Sequence, residues 1–286
     1  MSGSMHTSSM IHPTAVIDST AELGDDVVVG PGCVIGPRVR IGSGSELLNH
    51  VAIQSDTTIG SNNRFYPFCV VGADPQDKKF NGERTTLSIG DDNLIREHVT
   101  IHRGTGNGGG ETVIGDDNLL MVGAHVAHDC RLGDDIVIAN QVMLAGHIVI
   151  DDGASIGGGA GVHHFATIGK CSFVAGLARV TRDVPPFMLV EGQPAEVRSA
   201  NVIAMRRRGY APQEVEAIKE AYKRLFRDNG GAMLDRVETL LSECSGSNAI
   251  AHLCQSIKLS SEGRHGRGRE AMREDDKWKA ASQPAG

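Results

Sequence analysis

Histidine is concentrated in one part of this chain, beside an acidic residue that could orient it. More than half of the 12 histidines lie from position 98 to position 164, and one stretch reads His125-Val126-Ala127-His128-Asp129. Imidazole titrates near neutral pH, and a neighbouring carboxylate can orient it and stabilise its protonated form. His128 is therefore a candidate general base, and Asp129 is its candidate supporting carboxylate.

The elements that must position these side chains follow a period of six. Every sixth residue is apolar over residues 11–71, 89–101 and 114–180, and such fixed self-similarity is typical of a solenoid. Three hexads close one triangular coil of about 18 residues, and successive coils stack as parallel strands about 4.8 Å apart. The sequence predicts a mainly β fold, a left-handed parallel β-helix over residues 11–196.

The same period converts sequence separation into distance. Asp129 and His147 share a phase on adjacent coils, whereas His128 and His164 share another phase two coils apart. The residue between the last two is Gly146, which has no side chain. The sequence therefore predicts a notch about 9 to 10 Å high, lined by imidazoles, with a backbone N–H at its floor that could bind a reacting carbonyl.

Several segments depart from the period. Residues 74–86 and 104–112 interrupt it, and solenoid insertions are commonly loops on a binding face, so we expect both to help form the substrate cleft. Residues 197–259 have helical spacing and are predicted to form a C-terminal helical domain that covers the open edge of the sheets. Residues 260–286 are charged and poor in apolar side chains, which predicts a mobile tail.

Composition excludes several classes of protein. The net charge of −7 argues against a general nucleic-acid binder. The six cysteines occur singly, and Cys33, Cys69 and Cys130 fall on inward positions, which is typical of reduced thiols in a cytosolic protein. No apolar run is long enough for an integral membrane segment, and residues 1–10 lack the features of a secretory signal. We expect a cytoplasmic protein.

Six motifs resemble the signature set of the acyl-[acyl-carrier-protein]:UDP-N-acetylglucosamine O-acyltransferase family, which begins lipid A synthesis. They occur in order within a match from about residue 11 to residue 222. They are Asp74-Pro75-Gln76-Asp77, Ile101-His102-Arg103-Gly104-Thr105, His125-Val126-Ala127-His128-Asp129-Cys130, Leu144-Ala145-Gly146-His147, Ile156-Gly157-Gly158 and Arg207-Arg208-Gly209.

The resemblance implies an activity and its partners. A 3-hydroxyacyl chain would pass from acyl carrier protein to the 3-hydroxyl of UDP-N-acetylglucosamine, in clefts between the subunits of a homotrimer. No metal and no cofactor would be needed, because the acyl donor is carried on the phosphopantetheine of the carrier protein.

The resemblance also implies roles for individual residues. His128 would be the base, Asp129 its support, and the Gly146 N–H the donor to the oxyanion. Gly176 would leave the acyl groove open to a longer chain. The substrate-binding positions would be Gln76, Asp77, Lys79, His102, His125, His147, His163, Asn201, Arg207 and Arg208.

Three positions depart from the family pattern, and other functions stay open. His164 stands where the family commonly has glutamine, Ile203 where it has glutamate, and Pro194 where some members have histidine. The departures affect nucleotide contacts and chain-length selection. Alternative functions are N-acylation of a 3-amino UDP-sugar, a zinc enzyme of the γ carbonic anhydrase type with three converging imidazoles, and a hexapeptide scaffold without catalytic activity.

Overall fold

The structure is a computed structural model that describes residues 10–228, 230–244 and 246–272. Nearly all of its strands are two to four residues long and belong to three sheets. The first sheet contains Met10–Ile11, Val28–Val29, Glu46–Leu47, Arg64–Phe65, Leu94–Ile95, Leu119–Leu120, Val137–Ile138, Ser155–Ile156, Phe173–Val174, Met188–Glu191 and Glu196–Ala200. The second contains Val16–Ile17, Val34–Ile35, Ala52–Ile53, Val70–Ala73, Thr100–His102, His125–Val126, Met143–Leu144, Gly161–Val162 and Arg179–Val180. The third contains Glu22–Leu23, Arg40–Ile41, Thr57–Ile59, Thr86–Ile89, Glu111–Ile114, Arg131–Leu132, Val149–Ile150 and Thr167–Ile168.

The pairing of these strands confirms the predicted left-handed parallel β-helix. Paired residues are normally 18 apart in sequence, as in Arg131 opposite Val149. The separation grows to 30 between Arg64 and Leu94 and to 25 between Leu94 and Leu119. These two coils hold the predicted loops 74–86 and 104–112. Each loop returns the chain to the same phase, so the core continues unbroken.

The apolar hexad residues fill the inside of the prism, where most of them are buried. Ile11 is an exception at 46% exposed, because in the described part of the chain a coil packs against it on one side only. The six cysteines are free thiols. Burial raises the pKa of Cys69 and of Cys130 to about 12, so these two thiols pack as core side chains and do not act as nucleophiles at neutral pH.

Polar asparagines also lie inside the prism, stacked in one column of hydrogen bonds. Asn93 Nδ2 donates to Asn63 Oδ1 at 2.9 Å and to the Gly115 carbonyl at 3.0 Å, and Asn93 Oδ1 accepts from the Asn118 backbone N–H at 2.9 Å. All three asparagines are buried. The column provides hydrogen-bond partners for backbone groups at this corner. Apolar side chains in its place would leave those groups unpaired.

Left-handed backbone conformations at the corners are not limited to Gly, Asp and Asn. Asp129, His147 and Phe165 have φ of 60°, 63° and 64°. This conformation costs an L-residue about 1 to 2 kcal/mol, and closure of the coil imposes it on whichever residue occupies the corner. The side chains at these three positions consequently leave the prism in the same direction, one above the next.

The helical region agrees with its predicted spacing. The helices are α1 (Val202–Arg207), α2 (Pro212–Tyr222), which continues as a π-helical turn at Lys223–Arg227, α3 (Met233–Glu243) and α4 (Asn248–Ser261). They share a second core with Phe187 and Met188 at the end of the β-helix. The last two strands of the first sheet form an antiparallel hairpin that extends to Ala200, so the predicted boundary at residue 196 falls inside a strand. Within the described residues, every helix is too short or too polar to cross a bilayer.

The segment after α4 begins the stretch that was predicted to be a tail. A 3₁₀ helix at Gly266–Met272 packs against the β-helix, and Gly266 N–H donates to Thr167 Oγ1 at 3.1 Å. Low apolar content did not exclude this contact because polar groups make it. The remainder of the predicted tail, residues 273–286, lies outside the described residues, as do residues 1–9.

We expect Asn93→Ala to lower the free energy of unfolding by about 3 kcal/mol, because it leaves several buried donors and acceptors unpaired. Asn81→Ala is the matched control, since Asn81 is exposed and its side chain donates to the nearby Lys79 carbonyl. Urea denaturation at one fixed protein concentration measures both. Equal midpoints for the two variants would contradict a stabilising role for the column.

Candidate active site

The predicted base and its carboxylate are in direct contact. His128 Nδ1 lies 2.7 Å from Asp129 Oδ2, and the two side chains are 13% and 1% exposed. An ionised Asp129 accepts a hydrogen bond from Nδ1–H of His128. Nε2 is then the nitrogen of the neutral ring that can take up a proton. His128 lines an open cleft, so the pair can deprotonate a group bound there.

The second inserted loop holds the Asp129 carboxylate. Asp129 Oδ1 accepts from the Thr105 backbone N–H at 2.9 Å, and Oδ2 accepts from Thr105 Oγ1 at 2.7 Å. A Cβ added to Gly108 would lie 2.1 Å from Asp129 Cγ, so the loop can approach this closely only with glycine. Burial acts to raise the pKa of Asp129, but hydrogen bonds from His128 and Thr105 outweigh it and hold that pKa below its usual range.

His147 lies one coil above this pair, as the register predicts. Its backbone N–H donates to the His128 carbonyl at 3.0 Å, and the two rings meet edge to face with centroids 5.1 Å apart. His147 Nδ1 is 3.8 Å from Asp129 Oδ2. On its other side, the His147 ring stacks on Phe165 with centroids 4.3 Å apart.

Gly146 forms the floor below the His128 ring. A Cβ at this position would lie 2.5 Å from His128 Cε1, so any other residue would displace the imidazole. The cleft above it has a volume of about 580 Å³. Its lining combines five predicted site residues with aliphatic walls: Gln76, His125, Ala127, His128, Met143, Leu144, Ala145, Gly146, Gly161, Val162, His163, Arg179, Val180 and Thr181.

A second pair of histidines lies beside the first. The rings of His102 and His125 meet edge to face with centroids 4.9 Å apart, and Thr100 Oγ1 is 2.7 Å from His125 Nδ1. Burial lowers the pKa of His102 to about 4, and it also lowers the pKa of His125. Both rings are therefore neutral at pH 7 and offer hydrogen bonds to a ligand without adding positive charge.

Other predicted site residues do not line this cleft within one chain. The Asn201 side chain caps α1 by accepting from Ala204 N–H at 3.3 Å and donates to the Cys171 carbonyl at 2.9 Å. Arg208 forms an ion pair with Asp135, while Arg207 is exposed.

The remaining predicted residues lie on the first loop and on an outer corner. Asp77 Oδ1 accepts from the Lys79 backbone N–H at 2.9 Å, which fixes a turn in that loop. Gly176 is exposed, and a Cβ there would make ordinary contacts with the Gly158 backbone, the nearest at 3.4 Å from its carbonyl oxygen.

The prediction that His164 forms one wall of the notch is wrong. Its Nε2 is instead 2.7 Å from Glu270 Oε1, and the ring lies against His163 with centroids 3.8 Å apart. Glu270 draws the imidazole away from the cleft, which His163 lines in its place.

The sequence did not predict several residues that contribute to the site. Thr100 pairs directly with His125 between adjacent strands, so the register, corrected for the inserted loop, could have indicated it. Thr105 lies on an inserted loop that has no register, and no pattern predicts where its hydroxyl points. The direction of the Phe165 side chain follows from its corner position, but its stacking on His147 depends on the rotamers of the two rings.

The residues of the site do not match the zinc alternative. In the described part of the chain, one group of His, Cys, Asp or Glu side chains is compact enough to hold a metal ion, namely His128, Asp129 and His147. It offers two imidazoles and a carboxylate, whereas the γ carbonic anhydrase type needs three imidazoles. The Asp129 oxygens also already accept hydrogen bonds from Thr105 and His128.

The sequence of this chain is similar to known protein families. Residues 183–268 match the family described as Udp N-acetylglucosamine O-acyltransferase, domain 2, and residues 111–146 match the bacterial transferase hexapeptide with six repeats. A curated relative from Synechocystis sp., an acyl-[acyl-carrier-protein]--UDP-N-acetylglucosamine O-acyltransferase, is 47% identical over 179 residues. That match covers 63% of this chain and 64% of the relative, just under two thirds of its length.

Solved structures resemble nearly the whole described chain. LpxA from Acinetobacter baumannii superimposes with a TM-score of 0.85 at 40% identity, covering 88% of this chain and 97% of that one. The UDP-N-acetylglucosamine acyltransferase LpxA from Bacteroides fragilis gives a TM-score of 0.86 at 36% identity, covering 90% of this chain and 99% of that one.

We expect Thr105→Val to raise the pKa of Asp129, because it removes a hydrogen bond to the charged form of the carboxylate. Thr105→Ser keeps the hydroxyl and serves as the control. The carboxyl ¹³C resonance of Asp129, followed by NMR against pH, reports the midpoint. An unchanged midpoint in the valine variant would show that the hydroxyl does not stabilise the charged form.

Proposed function

Because the chain belongs to the UDP-N-acetylglucosamine O-acyltransferase family, we propose that it transfers a 3-hydroxyacyl chain from acyl carrier protein to the 3-hydroxyl of UDP-N-acetylglucosamine, the first step of lipid A biosynthesis. The observation that carries this proposal is the His128–Asp129 pair, set above Gly146 in a cleft with aliphatic walls. Such an arrangement suits the acylation of a hydroxyl group.

The reaction follows from general base catalysis. Nε2 of His128 takes the proton of the sugar 3-hydroxyl as its oxygen attacks the thioester carbonyl, and Asp129 stabilises the imidazolium that forms. The Gly146 N–H donates to the oxyanion of the tetrahedral intermediate. When the intermediate collapses, the C–S bond breaks and the phosphopantetheine thiolate takes the proton from His128, which leaves the ester product and the neutral base.

The cleft has an apolar part and a polar part, and each suits a different substrate. Met143, Leu144, Val162 and Val180 offer apolar surface suited to an acyl chain, whose burial contributes about 0.8 kcal/mol per methylene. Gln76, His125 and His163 offer polar groups on the same cleft and bind the sugar nucleotide. His102, which burial keeps neutral, and His147 complete the sugar site beside them.

The nucleotide binds nearer the helical region. Asn201, Arg207 and Arg208 contact the nucleotide, because a guanidinium matches a diphosphate. Lys79 and Asp77 contact substrate and product from the first loop. Because the arginines and Asn201 do not line the cleft of their own chain, they reach a cleft that a neighbouring subunit completes, in a homotrimer.

Two further features of the proposal concern chain length and location. The exposed Gly176 has no side chain to shorten the groove and leaves room for a longer 3-hydroxyacyl chain. The six free thiols fit a reducing compartment, and we place the protein in the cytoplasm. The reaction needs no cofactor beyond the phosphopantetheine of the donor.

The direct test incubates the protein with 3-hydroxyacyl carrier proteins of several lengths and UDP-N-acetylglucosamine, followed by mass spectrometry of the sugar nucleotide. We expect an ester product that mild alkali removes. A parallel reaction contains the 3-amino analogue of the sugar. Acylation of the analogue alone would overturn the O-acyltransferase in favour of N-acylation, and no product with either acceptor would overturn both.

We expect His128→Ala to lower kcat/KM by about 10² to 10⁴, the usual contribution of a positioned general base. His12→Ala is the matched control, because His12 is exposed and its ring contacts the nearby Thr14. Steady-state rates of thiol release measure both variants. Full activity in His128→Ala would favour a non-catalytic scaffold or a different base.

We expect light scattering to give a mass close to three chains. The physical reason is that a flat-sided prism with an open cleft buries the site by packing against copies of itself around a three-fold axis. The measurement is repeated over a range of protein concentrations. The mass of a single chain throughout that range would contradict the shared-cleft arrangement.

A further inference from the structure

The segment that follows α4 runs along the corner of the β-helix that carries the site. We call residues 260–270 the strap. Below it, Asp129, His147 and Phe165 occupy successive corners of one column, all in left-handed backbone. The strap crosses this column toward Asp129, and Arg269 lines a small cavity that Asp129 and His147 also line.

One end of the strap is anchored at Asp183. Its carboxylate accepts from Ser260 Oγ and from the Thr167 backbone N–H at 2.9 Å. Gly266 packs on the same carboxylate, where an added Cβ would lie 1.7 Å from Asp183 Oδ1, and has a φ of 59°. The contact leaves no room for a side chain at this position, and glycine adopts the left-handed conformation without strain.

The other end of the strap is the Arg269 side chain. Its Nη2 donates to the carbonyls of His147 and Phe165, both at 3.0 Å, and the guanidinium lies 5.8 Å from the centroid of the Phe165 ring. A planar guanidinium presents its donors in fixed directions, which suits two carbonyls held one strand spacing apart. Arg269 therefore ties two adjacent coils together at the corner where the site lies.

The contacts continue without a gap from Arg269 to the base. The Phe165 ring that Arg269 covers is stacked on His147, and His147 meets both the His128 ring and the Asp129 carboxylate. A shift of the corner at His147 would also move its N–H, which holds the His128 carbonyl. The position of the base thus depends on the corner that Arg269 fastens.

We propose that Arg269 is a positioning residue for the His128–Asp129 pair and acts through the stacked Phe165 and His147. This inference rests on the proposed function of the pair as the base of acyl transfer. Arg269 itself does not line the substrate cleft. Its effect falls on the geometry of the reacting groups rather than on the contacts that bind substrate.

The first test is steady-state kinetics of Arg269→Met, which removes both hydrogen bonds and the charge over Phe165 while keeping an unbranched side chain. We expect kcat to fall about tenfold, with KM for UDP-N-acetylglucosamine within about twofold, because misplacing a base affects the chemical step more than binding. The acidic limb of the kcat/KM profile against pH should move as well. Arg269→Lys, which keeps a donor and a charge, should recover part of the loss.

Arg267→Met is the matched control, since Arg267 lies on the same strap and pairs with Glu270. We expect its kcat to remain within about twofold of the parent. A wild-type kcat in Arg269→Met would overturn the inference. So would a loss explained entirely by a lower melting temperature with an unchanged pH profile, since that result indicates a structural role only.

A readout without turnover separates this inference from the proposed function. In ¹⁵N-histidine NMR, we expect Arg269→Met to shift the ring resonances of His147 and His128, and Arg267→Met to leave them in place. Unmoved resonances would overturn the inference even in an active enzyme. If the parent protein transfers no acyl group but these resonances move, the proposed function fails while the coupling stands.

A second variant tests the anchor of the strap at Asp183 instead of the hydrogen bonds of Arg269. Gly266→Ala should release the strap from Asp183 and reproduce the fall in kcat. Because both substitutions break one line of contacts, the double variant should be no slower than the slower single variant. Losses that multiply would show that the two positions act independently and would overturn the strap as a single device.

Discussion

The repeat of the coil is the constraint on which the rest of the structure depends. Paired residues 18 positions apart, such as Arg131 and Val149, lie one strand spacing from each other, so each corner becomes a vertical column of side chains. Any residue type placed in such a column acquires neighbours that are distant in sequence. A histidine and an aspartate on one coil can thereby be completed by groups from the coils above and below them.

The site uses this constraint at the most costly positions of the coil. Asp129 and His147 both have left-handed backbone, which L-residues adopt at a cost of about 1 to 2 kcal/mol. The conformation directs their side chains out of the prism and along the column, where the ring of Phe165 and the hydroxyl of Thr105 hold them. The hydrogen-bonded and stacked surroundings stabilise an arrangement that isolated corners would not keep.

Sequence reasoning was strongest where periodicity governs the structure. The apolar hexads indicated the β-helix, both insertions and the proximity of His128, Asp129, His147 and Gly146, because a fixed register determines backbone position. It was weaker where polar side chains choose among partners. His164 shares the phase of His128 but turns to Glu270, and that partner lies on a segment whose composition predicted mobility. No period connects residues 260–272 to the β-helix, so their contacts had no sequence signal.

The two inserted loops return the chain to the phase at which they left it, as the pairing of Arg64, Leu94 and Leu119 shows. Inward-facing side chains therefore meet the same neighbours whatever the insertion contains. Natural variation or protein engineering can change the length of these loops without compensating substitutions in the apolar core, provided that the second loop keeps Thr105 and Gly108, which hold Asp129. Substrate preference can thus diverge on a scaffold whose folding is already secured.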